Sequence, residues 1–220
     1  EVDIAHPGDV VGIALENGGE IARGEGGFLF SAERGDDAAV AVVEFSAAEE
    51  GVVDAVVVGA GVIVGGDDVS YGKAPAEGGN WREKMLAEIG TVPGMERVHF
   101  TGKLPYDRLV DLIHVSRVHA YLTYPFVLSW SMVETMAAGT LVIGSNTAPV
   151  AEMIEDGVTG RLVDFFDVPA WSAALTDALA RPEAYLGMRD VARRMVRERY
   201  DLRSVCLPRQ VELLTRLERS

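Results

Sequence analysis

The chain reads as an α/β protein built on a doubly wound parallel sheet, and three observations predict that class. Val118 to Leu122 is an apolar run that feeds a turn containing Pro125, then a stretch of helix formers closed by Gly139, then a second apolar run from Leu141 to Gly144. That order is a βαβ unit, whose strands run parallel through a right-handed crossover. The segments at 61–64 and 98–100 repeat the pattern as buried strands with loops or helices after them. In such a sheet the loops after successive strands gather at one carboxyl edge, where ligands bind.

Taken in order, residues 1–60 are the least readable. Val10 to Leu15 is a first strand, followed by a glycine-rich loop containing Gly18, Gly19, Gly24, Gly26 and Gly27. No helical stripe is visible from there to Val58. The strand Gly61 to Val64 ends in the loop Gly65-Gly66-Asp67-Asp68. Its glycines miss the dinucleotide-binding fingerprint, whose third glycine falls on Val64. Asn80 caps a helix from Trp81 to Ile89 that Gly90 stops. After Val98–Phe100 comes the turn Thr101-Gly102-Lys103-Leu104, then a helix opened by Pro105 that buries Leu109, Leu112 and Ile113.

Beyond Ile143, the loop Gly144 to Ala148 returns to the carboxyl edge, and Pro149 starts a helix carrying Glu152. Gly157 and Gly160 bracket a turn before a strand over Arg161 to Val163. Asp167 caps the next helix and Pro182 opens another that runs to about Arg199. Asp201 starts a terminal helix that Pro208 is expected to kink. Arg193, Arg194, Arg197 and Arg199 form a basic patch, read as a solvated face.

At 220 residues, 48% hydrophobic, the chain has room for one sizeable soluble domain. A net charge of −14 argues against nucleic acid or an anionic membrane as partner, since both are bound by clustered Lys and Arg. The single cysteine, Cys206, excludes an internal disulfide and fits a reducing, cytoplasmic compartment, with a buried thiol expected there. No secretion signal and no membrane-length apolar run is present. His99, His114 and His119 lack metal-ligand spacing and read as rim or core imidazoles, so neither a metal nor a cofactor is expected. The sequence does not begin with Met, which suggests a fragment or a processed chain.

The chemistry concentrates at the turn before the helix of the βαβ unit. A helix start at this edge aims unpaired N–H groups into the crevice, where a phosphate suits them. Ser129 and Ser131 are both suited to cap it, which leaves the amides of about Trp130 to Val133 as donors. Glu134, a turn further in, would repel phosphate but can accept two hydrogen bonds from hydroxyls of a sugar joined to it. The plainer reading of Glu134 is an exposed helix residue in a surface pair.

The run Glu134 to Ser145, followed by Pro149 to Ile154 and Asp156 to Val163, resembles the donor-binding half of retaining glycosyltransferases of the GT-B fold, family 4. The resemblance covers roughly residues 61–205. It implies transfer of a sugar from a nucleotide-diphosphate sugar to an acceptor, without a bound metal, as in polysaccharide biosynthesis. It makes residues 1–220 a single donor-binding domain whose acceptor-side N-terminal partner domain is absent. By resemblance Glu134 meets the nucleotide ribose. The loop around Gly65 and Gly66 and the turn Gly102-Lys103-Leu104 line the site, with backbone near Leu104 meeting the base. Val127, Leu128, Ser129, Trp130, Ser131 and Asn146 flank the diphosphate and sugar. Arg23, before Gly24, matches the end of the loop that clamps the diphosphate.

Three departures stand out. The family's sugar-binding glutamate falls on Phe126, and two of its turn glycines fall on Val127 and Ser129. They make a non-catalytic nucleotide-binding or structural module the alternative, with a Rossmann oxidoreductase a distant third.

Overall fold

A computed structural model describes residues 13–15, 40–46, 60–65, 78–80, 82–83, 86–87, 95–123 and 128–219. The expected strand start at 10–12, the glycine-rich loop, Arg23, Gly66, Gly90, Phe126 and Val127 lie outside the described residues.

Seven strands form one sheet, and every pairing is parallel. They are β1 (Ile13–Leu15), β2 (Val40–Ser46), β3 (Ala60–Gly65), β4 (Val98–Gly102), β5 (Val118–Thr123), β6 (Leu141–Ser145) and β7 (Arg161–Val163). From β4 the pairings run β4-β3-β2-β5-β6-β7, with β1 joined to the end of β3 at Ile63 to Gly65. Leaving β1 aside, this is the 3-2-1-4-5-6 order of a doubly wound sheet, the class expected. Its direction reverses between β2 and β5, which pair from Ala41↔Val118 to Ser46↔Thr123. Sequence patterning did not single out β2, which nonetheless forms one wall of that switch point.

The helices are α1 (Tyr106–Val115), α2 (Trp130–Ala138), α3 (Ala148–Ala151), α4 (Val168–Ala180), α5 (Leu186–Tyr200) and α6 (Leu207–Leu217). Period-two alternation along the central strands separates two cores. Val118, Ala120, Leu122, Leu141 and Ile143 face one side with Leu112 of α1 and Trp171 and Leu175 of α4. Tyr121 and Val142 face the other with Met132 and Met136 of α2, Val150 of α3 and Val196 of α5. Strands β5 and β6 are buried along their whole length, which is why they read as unbroken apolar runs.

The punctuation of the chain is largely as expected. Asn80 Oδ1 accepts from the Glu83 amide at 2.8 Å while Glu83 Oε2 accepts from the Asn80 amide at 3.2 Å, a reciprocal capping box over the helical residues 82–83. Asp167 caps α4 through the Ala170 amide at 3.0 Å. Gly139 closes α2 at φ 84°, a left-handed conformation that costs glycine nothing.

Some details differ. Helix α3 stops at Ala151, so Glu152 is its exposed C-cap rather than a helical residue. Pro208 bends nothing: a π-turn over Leu202–Cys206 precedes it, and the proline sits in the first turn of α6, where its missing N–H is not needed. Cys206 is half-buried, with its thiol 3.4 Å from the Tyr200 carbonyl. Leu112 and Ile113 are buried and Leu109 packs against them, as predicted. His119 is a core imidazole beside Tyr121, whereas His99 and His114 are exposed.

Candidate nucleotide-sugar site

Because all strands are parallel, the ends of β3, β4, β5 and β6 share one edge with the starts of α1, α2 and α3. The α2 start is held from below. Tyr121 is buried on β5, and its hydroxyl accepts from the Ser129 amide at 2.8 Å, which fixes Ser129 as N-cap. Ser129 Oγ then accepts from the Ser131 amide at 3.2 Å and lies 2.9 Å from Ser131 Oγ. Ser131 is therefore buried in the first turn, not a cap.

This arrangement narrows the expected donor set. A helix leaves its first four N–H groups without intrahelical acceptors, here those of Ser129 to Met132. Two are taken by Tyr121 and by the cap, and Met132 is fully buried, so among the described residues the Trp130 amide is the one left at the surface. Val133 donates into the helix ladder. The Trp130 indole is 77% exposed at the same rim.

Glu134 is half-buried, one turn into α2. Its partner is neither Lys nor Arg. The hydroxyl of Tyr106, in the first turn of α1, donates to Glu134 Oε1 at 2.9 Å. That bond raises the phenol's pKa above its ordinary value, helped by partial burial and the carboxylate charge. Glu134 thus makes a surface pair, with a tyrosine in place of a lysine or arginine, and the carboxylate is shared between two helix starts, its Oε2 accepting no bond among the described residues. Spacing arguments do not anticipate Tyr106; the available signal was that Pro105 puts the first turn of α1 at this same edge.

The other expected residues distribute as follows. Gly65 ends β3 and Gly102 ends β4, the latter at φ 68° with open space around its Cα. Lys103 is exposed, while the Leu104 side chain packs on the core. Leu128 packs beneath the α2 start. Asn146 donates its amide to the Val163 carbonyl at 2.6 Å and keeps its side chain exposed.

Beneath these loops the edge is closed. The last backbone pair of β5 and β6 is Tyr121↔Gly144, yet Ser145 Oγ accepts from the Thr123 amide at 2.9 Å and donates to the Tyr121 carbonyl at 3.3 Å. A separate open cavity of about 520 Å³ lies between the α3–β7 connection and α5. It mixes Glu152, Glu155 and Glu198 with Arg194 and Arg199, and none of the expected site residues lines it. The four arginines of the basic patch are exposed, as a solvated face requires.

Residues 30–195 match the family model of glycosyl transferases group 1. The chain belongs to that family. Its curated relatives include the D-inositol 3-phosphate glycosyltransferase of Mycolicibacterium vanbaalenii, 32% identical over 113 residues, or 51% of this chain and 25% of the relative. The lipopolysaccharide core biosynthesis mannosyltransferase LpcC of Rhizobium leguminosarum is 28% identical over 61% of this chain and 38% of its own length. The chain thus spans about a quarter to two fifths of these group 1 relatives.

Among solved structures, HepE of Anabaena in complex with UDP-glucose superposes with a TM-score of 0.61 at 17% identity, over 71% of this chain and 41% of that one. Sucrose-phosphate synthase of Thermosynechococcus elongatus gives 0.60 at 21%, over 73% and 39%. At these identities the likeness is one of fold, the Rossmann-like domain of GT-B glycosyltransferases. Among the described residues no helix is long and apolar enough to cross a membrane.

Proposed function

We propose that this chain is the donor-binding half of a retaining, family 4 glycosyltransferase that takes a nucleotide-diphosphate sugar in the cytoplasm. The observation that carries the reading is Glu134 beside the exposed start of α2, with the Trp130 amide, at the switch-point edge. The family match supports it, as does the fold shared with HepE, which was captured with UDP-glucose. In this reading the ribose hydroxyls donate to Glu134, and the diphosphate lies at the α2 start, by the Trp130 amide. As the bond from the anomeric carbon to the β-phosphate oxygen breaks, negative charge grows on that oxygen. Fixed N–H dipoles at a helix start stabilise charge there without reorganising. The acceptor hydroxyl, held by a second domain, forms the new glycosidic bond to the anomeric carbon and passes its proton to the departing β-phosphate oxygen.

Phe126 favours a second reading, a nucleotide-binding module without turnover, because a phenyl ring accepts no hydrogen bond from the transferred sugar. Calorimetric titration with UDP, GDP, ADP and their glucose conjugates tests what both readings share. Binding of one diphosphate is expected, with similar affinity for its sugar conjugate, and Glu134→Ala is expected to cost up to about 1.5 to 3 kcal/mol per lost ribose bond. No affinity for any of them would sink both readings. The full-length gene product, assayed for sugar transfer, then separates enzyme from module, since only the enzyme turns over.

A further inference from the structure

We propose that Tyr106 is a positioning residue that sets the preference of this site for ribonucleotides, an inference that rests on the reading of Glu134 as the ribose-binding carboxylate. Glu134 and Tyr106 are 28 residues apart and come from two different helix starts, yet they meet at 2.9 Å at the carboxyl edge. Tyr106 is 63% exposed, so its ring contributes little to the core. It donates to Glu134 Oε1, and Oε2 accepts nothing among the described residues.

A free glutamate side chain turns about three bonds, and a vicinal diol needs two acceptors held in one orientation. The phenol fixes the carboxylate by one oxygen and leaves Oε2, with the second lone pair of Oε1, for two adjacent hydroxyls. The ordering is then complete before the ligand arrives, which is the general route by which preorganisation raises affinity. A 2′-deoxyribose, which offers a single hydroxyl, gains far less from that arrangement. Tyr106 therefore acts on the ratio of the two affinities more than on either alone. Trp130, four residues before Glu134, lies on the same face of α2 and is 77% exposed.

The test measures affinities for UDP and 2′-deoxy-UDP, with GDP and 2′-deoxy-GDP as a second pair, in the wild-type chain, Tyr106→Phe, Glu134→Ala and the double variant. The wild type is expected to prefer the ribonucleotide by about tenfold. In Tyr106→Phe that preference falls at least threefold, with the melting temperature unchanged. In the Glu134→Ala background Tyr106→Phe changes nothing further. A Tyr106→Phe chain that keeps the wild-type ratio overturns the role of Tyr106 alone. A wild-type chain that binds none of the four nucleotides overturns the nucleotide reading, and the Tyr106 role with it.

Discussion

The fold carries two tyrosine–carboxylate pairs at opposite edges of the sheet, and their difference separates what holds the molecule from what it offers. At the amino edge Tyr185 is 7% exposed and donates to Asp177 Oδ2, while Arg181 Nε donates to Oδ1 at 2.8 Å. Nearby, Arg161 and the Leu162 amide both donate to Asp156 Oδ1 at 2.9 Å. Both oxygens of Asp177 are spoken for, and the pair knits β7, α4 and the 3₁₀ turn Pro182–Tyr185 together. At the carboxyl edge Tyr106 and Glu134 form the same bond, but the phenol is exposed and one carboxylate oxygen is open. The first pair is closed within the protein; the second leaves a carboxylate oxygen without a bond among the described residues.

Three substitutions sharpen that contrast. The largest effect is expected from Gly160→Val, because even a Cβ there would lie 2.8 Å from the Val142 carbonyl and 3.0 Å from Ile154 Cγ2. Backbone cannot step aside cheaply, so β7 and the Asp156–Arg161 corner move with it, at about 3 kcal/mol or more. Chemical denaturation measures the loss; nucleotide affinity, read well below the melting temperature, should survive, and its disappearance would mean the two edges are not separable. Tyr185→Phe comes next, at about 1 to 2 kcal/mol of stability from a hydroxyl bonded to a carboxylate, again without effect on ligand. It is the mirror of Tyr106→Phe, which is expected to change ligand preference and not stability.

The smallest effect is on the acid limb. The Asp177 carboxyl is held below the ordinary range, first by the Tyr185 hydroxyl and then by Arg181. Partial burial pulls the Asp156 carboxyl upward, but the bonds from Leu162 and Arg161 outweigh it and leave it lowered too. With native pKa values below the unfolded ones, the unfolded chain takes up these protons first. Their contribution is complete above about pH 4 and is lost as pH falls through the native values. Denaturation curves from pH 5 to pH 2 should therefore be shallower in Tyr185→Phe than in wild type. An identical slope would mean that Asp177 does not depend on the phenol.

Legibility followed the range of the interactions. The unit from Val118 to Ser145 could be read because its signals are local: two fully buried strands, hydroxyl residues ahead of α2 and a glycine after it. Strand β2 was not, although its apolar run is there, because Glu44 interrupts it and the flanks are rich in glycine and acid. Its identity as a central strand comes from pairing with β3 and β5, which no local window contains. Ser129 and Ser131 were equivalent caps by composition, and the choice was made by Tyr121, eight residues earlier on β5. Pro208 misled because the π-turn that prepares its place has no sequence signature. The Tyr106–Glu134 contact was not legible, since it joins two helices that spacing alone does not bring together.

The hydroxyl of Ser145, which bonds to the Thr123 amide and the Tyr121 carbonyl, carries a dielectric consequence. Ser145 is fully buried, and Thr123 and Tyr121 are each 1% exposed, so the strand ends beneath the α2 start are shut off from water. A charge held at the helix start would be screened from the solvent side and not from the sheet side. Through protein of low polarisability a fixed dipole acts on a charge several times more strongly than in bulk water. One buried hydroxyl, far from any reacting atom, thereby sets the medium in which the helix start would do its work.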